Sequence, residues 1–153
     1  MSLNIQDIID AAVSHAQRTG YFDSVNAHEP KAAPGNGVTC AIWVNAIDPI
    51  KRGGLNSTSL RLELNVRIYT SMLQEPQDAI DVNAVLALDS LMGSYSNDFQ
   101  LDGLTDLRNV DLLGTYGAGL SARAGYLDAS GKPMRVFTIV LPLIMNDIWE
   151  QVA

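Results

Sequence analysis

The chain has 153 residues, 47% hydrophobic and 18% charged, which excludes wholesale disorder and gives one domain enough chain to bury a core unaided by disulfide or metal. Ten basic against seventeen acidic residues leave a formal charge of −7 and a pI near 4.5, which argues against gripping a phosphate backbone, a task for clustered Lys and Arg. Cys40 is the only cysteine, so an internal disulfide and a Cys-based zinc site are excluded and a reducing cytoplasm is the expected compartment; neither a signal peptide nor an apolar run of about 18 residues is found.

Ile5, Ile8, Ile9, Ala12, Val13 and Ala16 recur at helical spacing, and Gly20 follows where helices commonly end. The spacing predicts a helix over 4–19. Pro30, Pro34, Gly35 and Gly37 mark a loop. The run 38–47 is apolar on both alternating sets, with Val38, Cys40, Ile42 and Val44 on one face and Ala41, Trp43 and Ile47 on the other. Such a strand is central in a sheet or covered by another subunit. A polar, Gly-rich connection over 48–57 leads to the strongest period-two signal in the chain. Leu60, Leu62, Leu64, Val66 and Ile68 alternate with Arg61, Glu63, Asn65, Arg67 and Tyr69. The two strands read as a long antiparallel hairpin.

Pro76 and the acids around it fit a second helix start, and Ile80, Ala84, Leu88, Leu91 and Tyr95, widened by Val85 and Met92, make its apolar face. Short segments around Phe99 and Leu101 and over 110–113 precede a strand at 120–127. A hairpin turn at 128–132 leads to an almost wholly apolar strand at 135–145, where Pro142 predicts a bulge or an edge, and 147–150 fits a final turn. The order predicts a single α+β domain over 1–153: a mainly antiparallel sheet with two helices packed on one face and a long hairpin.

Catalytic signals are weak. His15 lies beside the first helix's stripe and His28 in a Pro/Gly loop, and the chain has no G-x-S-x-G elbow. Asp98, Asp102, Asp106 and Asp111 match no calcium loop and fit a solvated acidic surface. The segment Gly114 to Gly119 lacks the order and the Lys of a phosphate loop and precedes a strand, so it reads as turns requiring positive φ. No enzyme activity, cofactor or metal is expected. The residues that point to assembly are Lys51, Arg52, Gly53 and Gly54 at the hairpin tip, with Arg61, Glu63, Arg67 and Tyr69 on the outward face of the second strand. They are the candidate subunit or tube interface. Charge reversal of Arg61 and Arg67 is then expected to leave folding nearly intact but to weaken ring or tube contacts; the same alternation also fits a plainly solvated face.

The stretches 38–44, 60–69, 108–114, 135–139 and 141–144, together with the helix–hairpin–helix–strands order, resemble tail terminator proteins of siphovirus-type (long-tailed) bacteriophages. That resemblance implies a non-enzymatic homohexameric ring at the head-proximal end of the virion's tail, assembled in the host cytoplasm. It docks on the last ring of tail-tube protein, stops tube growth and offers a surface to the head-completion or connector protein. DNA passes through its lumen without specific binding, which an acidic chain suits, and no membrane is involved. Two alternatives stay open on the sequence: another phage neck or tail-tube component, or a small cytoplasmic ligand-binding or enzymatic α+β domain.

Overall fold

The structure, a computed structural model, describes residues 3–29, 37–50, 57–71, 78–98, 101, 104, 107–115, 117–129 and 131–150. The hairpin tip at Lys51, Arg52, Gly53 and Gly54, and Pro76, lie outside them.

The first helix, α1 (Ile5–Thr19), follows the predicted period closely, with Asp7 in its first turn, Arg18 in its last and Gly20 closing it through an N–H to the Gln17 carbonyl. Its buried stripe is Ile8, Ala11, Ala12, His15 and Ala16. The stripe is rotated from the expected one: Ile5 is exposed, while His15 is buried. A short strand absent from the sequence reading follows, β1 (Ser24–Asn26), parallel to the start of β2 (Val38–Ile50). β2 and β3 (Ser57–Ser71) form the long antiparallel hairpin. A bulge lies between Val44 and Ala46, so Ile47 returns to the face shared by Val44 instead of the one shared by Trp43.

The second helix, α2 (Ala79–Ser96), turns Ile80, Ala84, Ala87, Leu91 and Tyr95 inward. Tyr95 is fully enclosed, and its hydroxyl donates to the Ala12 carbonyl of α1 at 3.0 Å. Burial in this apolar setting pushes its ionisation well above the ordinary phenol range. The opposite side of α2 is apolar as well, and Val82, Val85 and Leu86 are exposed. Leu101 beyond the helix holds a left-handed φ of 41° with its side chain fully buried, an unusual backbone state kept by the packing of that side chain.

The rest is sheet: β4 (Leu107–Val110), β5 (Ser121–Ala129) and β6 (Lys132–Glu150). The order is β1-β2-β3-β6-β4, with β5 also on β6, and only the β1 pairing is parallel. The fold is therefore the expected α+β arrangement. β6 runs straight through 147–150 as strand, so the final turn does not form there. Of the bulge or edge expected at Pro142, the structure has the edge. The proline pairs opposite Glu63 with no bulge, and it sits where β6 passes from β5, last matched at Val140, to β4, first matched at Leu143. Its carbonyl accepts the Asp111 N–H on that same side, so the missing proline N–H falls in the gap between two partners.

On the helix face, Leu60, Leu62, Leu64, Val66 and Ile68 of β3 join Cys40 and Ile42 of β2 and Phe137, Ile139, Leu141, Leu143 and Met145 of β6 under the two helices. At one end of the far face, Ala41, Tyr69, Met134 and Val136 form a smaller cluster with Trp43 packed against it. Apolar residues on both faces of β6 thus meet packing on both.

Candidate assembly surface

Because β3 alternates strictly, Arg61, Glu63, Arg67 and Tyr69 form one row on the far face, as expected from the sequence. They are not equally exposed. Glu63 and Arg67 are partly open, whereas Arg61 is 4% and Tyr69 2% exposed. The picture of a uniformly outward row therefore fails at both ends.

The cover over Arg61 comes from the segment between β4 and β5. Leu120 returns its N–H to the Leu112 carbonyl, closing that loop at 3.1 Å. Arg61 Nη2 donates to the Ala118 carbonyl and lies 3.5 Å from Glu63 Oε2. Its Nη1 sits 3.7 Å from Asp111 Oδ2, too far for a hydrogen bond, and makes none. Asp111 is 2% exposed and accepts the Thr115 N–H at 2.7 Å, which turns the chain over the guanidinium. Two glycines permit the close fit. Gly114, at φ 84°, would place a Cβ 2.5 Å from the Gly117 carbonyl oxygen, and Gly117, at φ 157°, would place one 2.9 Å from Arg61 Cζ. The segment expected to be simple turns is therefore a lid on a buried arginine, and Asp111 is the counter-charge beneath it, not a solvated acid. Next to that lid Leu113 is 97% exposed.

Further along the row, Asn45 at the β2 bulge donates to Glu63 Oε1 at 2.8 Å. Arg67 donates through Nε to Thr138 Oγ1 at 2.9 Å, and its guanidinium lies 5.2 Å from the Trp43 ring and 5.9 Å from the Tyr69 ring. These are ordinary cation–π separations. Burial raises the Tyr69 phenol's ionisation, and the neighbouring Arg67 opposes the rise. Arg67 is therefore already engaged on its own sheet.

His15 and Asp98 show a second departure. His15 Nε2 lies 2.9 Å from Asp98 Oδ2 and Nδ1 lies 2.6 Å from Ser94 Oγ, so the ring bridges α1 to the end of α2. Ser, His and Asp do meet in space, in a way the sequence did not signal. With Nε2–H held by the carboxylate, the serine hydroxyl satisfies Nδ1 as donor or acceptor whichever protonation state the ring takes. The ring is 4% exposed, and the arrangement acts as a clamp between helices. Cys40 is also enclosed; burial pushes its thiol up to about 12, so no thiolate is available near neutral pH. Among the described residues, no three His, Cys, Asp or Glu side chains gather as a metal site would require, and no helix is long and apolar enough to cross a membrane.

No family model and no curated protein sequence matches the chain. Its fold, however, aligns with a chain in the virion of a native gene transfer agent particle, over 90% of this chain and 94% of that one, at 9% identity and a TM-score of 0.50. The two chains share a fold. That shared fold agrees with the resemblance to tail terminator proteins. A second chain, from a contractile injection system solved as its PVC sheath/tube terminator in the extended state, aligns with all of this chain at 12% identity and a TM-score of 0.44; this chain spans 60% of its length.

Proposed function

We propose that this chain is a structural tail-assembly protein, a terminator that forms a hexameric ring on the last tail-tube ring, ends tube growth and presents a surface to the head connector. The observation that carries this reading is the fold shared with a virion chain over nearly the full length of both. Three features of the subunit support it. Large apolar side chains stand exposed on separate elements: Leu113 between β4 and β5, Tyr126 on β5, and Val82 and Leu86 on α2. A subunit meeting a neighbour on each side and another ring along the axis needs such dispersed contacts. The net charge of −7 suits a lumen through which DNA slides without adhering. The meeting of Ser94, His15 and Asp98 is occupied in joining two helices, which favours assembly over catalysis.

Within this reading the hairpin contributes Lys51, Arg52, Gly53, Gly54 and the partly open Glu63 and Arg67 to subunit or tube contacts, with Arg61 holding the lid beside Glu63. The test is deletion of the gene in the producing particle. Tails of uncontrolled length and unattached heads are expected, with restoration on complementation. Electron microscopy showing normal-length, head-attached tails without the protein refutes the reading.

A further inference from the structure

Among the described residues, two strands, β2 and β5, run for long stretches without a partner on one side. β1 pairs with β2 only at Thr39, Cys40 and Ala41, so among the described residues nothing pairs with the outer edge of β2 over 42–50. At the other side β5 pairs with β6 alone among the described residues, and nothing there pairs with its outer edge over 121–129. Each open edge is nine residues long. An unpaired edge of that length carries a row of unsatisfied N–H and C=O groups and is a template for another strand. The exposed side chains along these edges mix large apolar groups, Val44 and Ile47 on β2 and Tyr126 and Leu127 on β5, with charges, Asp48 on β2 and Arg123 and Asp128 on β5.

Direction and face agree as well. β2, β3, β6 and β5 succeed one another with every pairing antiparallel, so a copy rotated about an axis along the strands sets its β2 antiparallel to the first copy's β5. Arg123 shares the far face with Thr138, and Asp48 shares it with Arg61, so the two point the same way in a continued sheet. Setting Arg123 opposite Asp48 places Ala124 against Ile47 on the helix face. With Asn45 as the bulged residue, Tyr126 then falls opposite Val44 on that face too. Arg123 and Asp128 both belong to β5 but leave opposite faces, so pairing β5 with a second β5 leaves Arg123 without that partner.

We propose that neighbouring copies of this chain join edge to edge, the outer edge of β5 in one copy pairing antiparallel with residues 42–50 of β2 in the next, with Arg123 set against Asp48. This deepens the ring reading, on which it rests: a head-to-tail contact of two different edges closes into a ring under rotation, whereas two like edges stop at a dimer. The lone apolar sides of the two strands become covered, and the edge hazard of each is removed by the other.

The experiment pairs Ala124→Cys with Ile47→Cys in the full chain, treats it with a short bis-maleimide at assembling concentration, and counts subunits on a denaturing gel and by native mass spectrometry. Cys40 is buried and does not compete. The double variant is expected to give a covalent ladder ending at the ring number, and each single variant none. Arg123→Asp is expected to weaken association at least tenfold, and adding Asp48→Arg to restore it. A ring without a ladder, with Arg123→Asp neutral, overturns the edge pairing and spares the ring. A ladder of open chains keeps the edge pairing and overturns the ring. Neither ring nor ladder overturns both.

Discussion

Replacing Arg61 by Met tests the lid most directly, because the change keeps an extended side chain and deletes only the charge and its donors. Arg61 is 4% exposed, and its counter-ion Asp111 is 2% exposed. Removing one member of such a pair strands a buried charge, a loss of roughly 3–5 kcal/mol in comparable sites. The missing donor to Ala118 adds a smaller part of that penalty. Asp111 keeps the Thr115 N–H, which softens the penalty, so the lower end, about 3 kcal/mol, is the expected cost. For a domain of this size that is a fall in Tm of about 6–12 °C. Removing both charges together, Arg61→Met with Asp111→Asn, is expected to recover most of the loss, giving a coupling above about 1.5 kcal/mol in a double-mutant cycle. Arg67→Met, on a partly open site, is expected to cost at most about 1 kcal/mol. Urea unfolding followed by tryptophan fluorescence, with equal m-values required across the set, supplies the numbers. Arg61→Met within about 0.5 kcal/mol of wild type, or strictly additive singles, would refute the view that Arg61 and Asp111 work as one buried unit.

Gly114→Ala combines a left-handed φ with a clash against the Gly117 carbonyl, so it is expected to destabilise by more than about 1 kcal/mol and to expose Arg61. Unfolding measurements and protease nicking near 111–119 check both effects. Leu64→Ala opens a cavity at a fully buried position under both helices and is expected to cost roughly 2–5 kcal/mol; an effect below about 1 kcal/mol argues that the β3 core face is misassigned. Cys40 is expected to resist maleimide at pH 8 in the native chain and to react on unfolding. Its raised folded value disfavours the thiolate that the unfolded chain forms, so stability is intact below pH 9 and falls between pH 9 and about 12. The buried Tyr69 and Tyr95 act in the same direction, so Cys40→Ala should lessen the alkaline loss without abolishing it.

The long elements could be read from the sequence because each has a single face to bury. Helix α1 shows its period from Ile8 to Ala16 and its stop at Gly20, and β3 shows five alternating core residues. What escaped depends on contacts between distant segments. β1 has three residues and exists because β2 accepts it in parallel, which no local period announces. The bulge after Val44 inverts the faces of the residues that follow, so Ile47 could not be placed by counting twos. Alternation said which side of β3 Arg61 takes, but not that residues 111–119, some fifty positions onward, would fold over it. His15 was judged by its distance from the apolar stripe, whereas its neighbours on α2 decide its burial. In the candidate surface the shared face of Arg61, Glu63, Arg67 and Tyr69 was legible; the division into covered ends and a partly open middle was not.

The position of β6 sets a timetable for the chain. It comes after every other strand in sequence, yet it is the strand to which β3, β4 and β5 all bind. During synthesis, α1, the hairpin and α2 leave the ribosome without the strand that joins them to the rest of the sheet. A sheet dominated by such distant pairings closes late and slowly. The outer edge of β5 cannot present itself in its final form until β6 lies beside it. On the edge pairing proposed above, that edge becomes available only in a finished subunit.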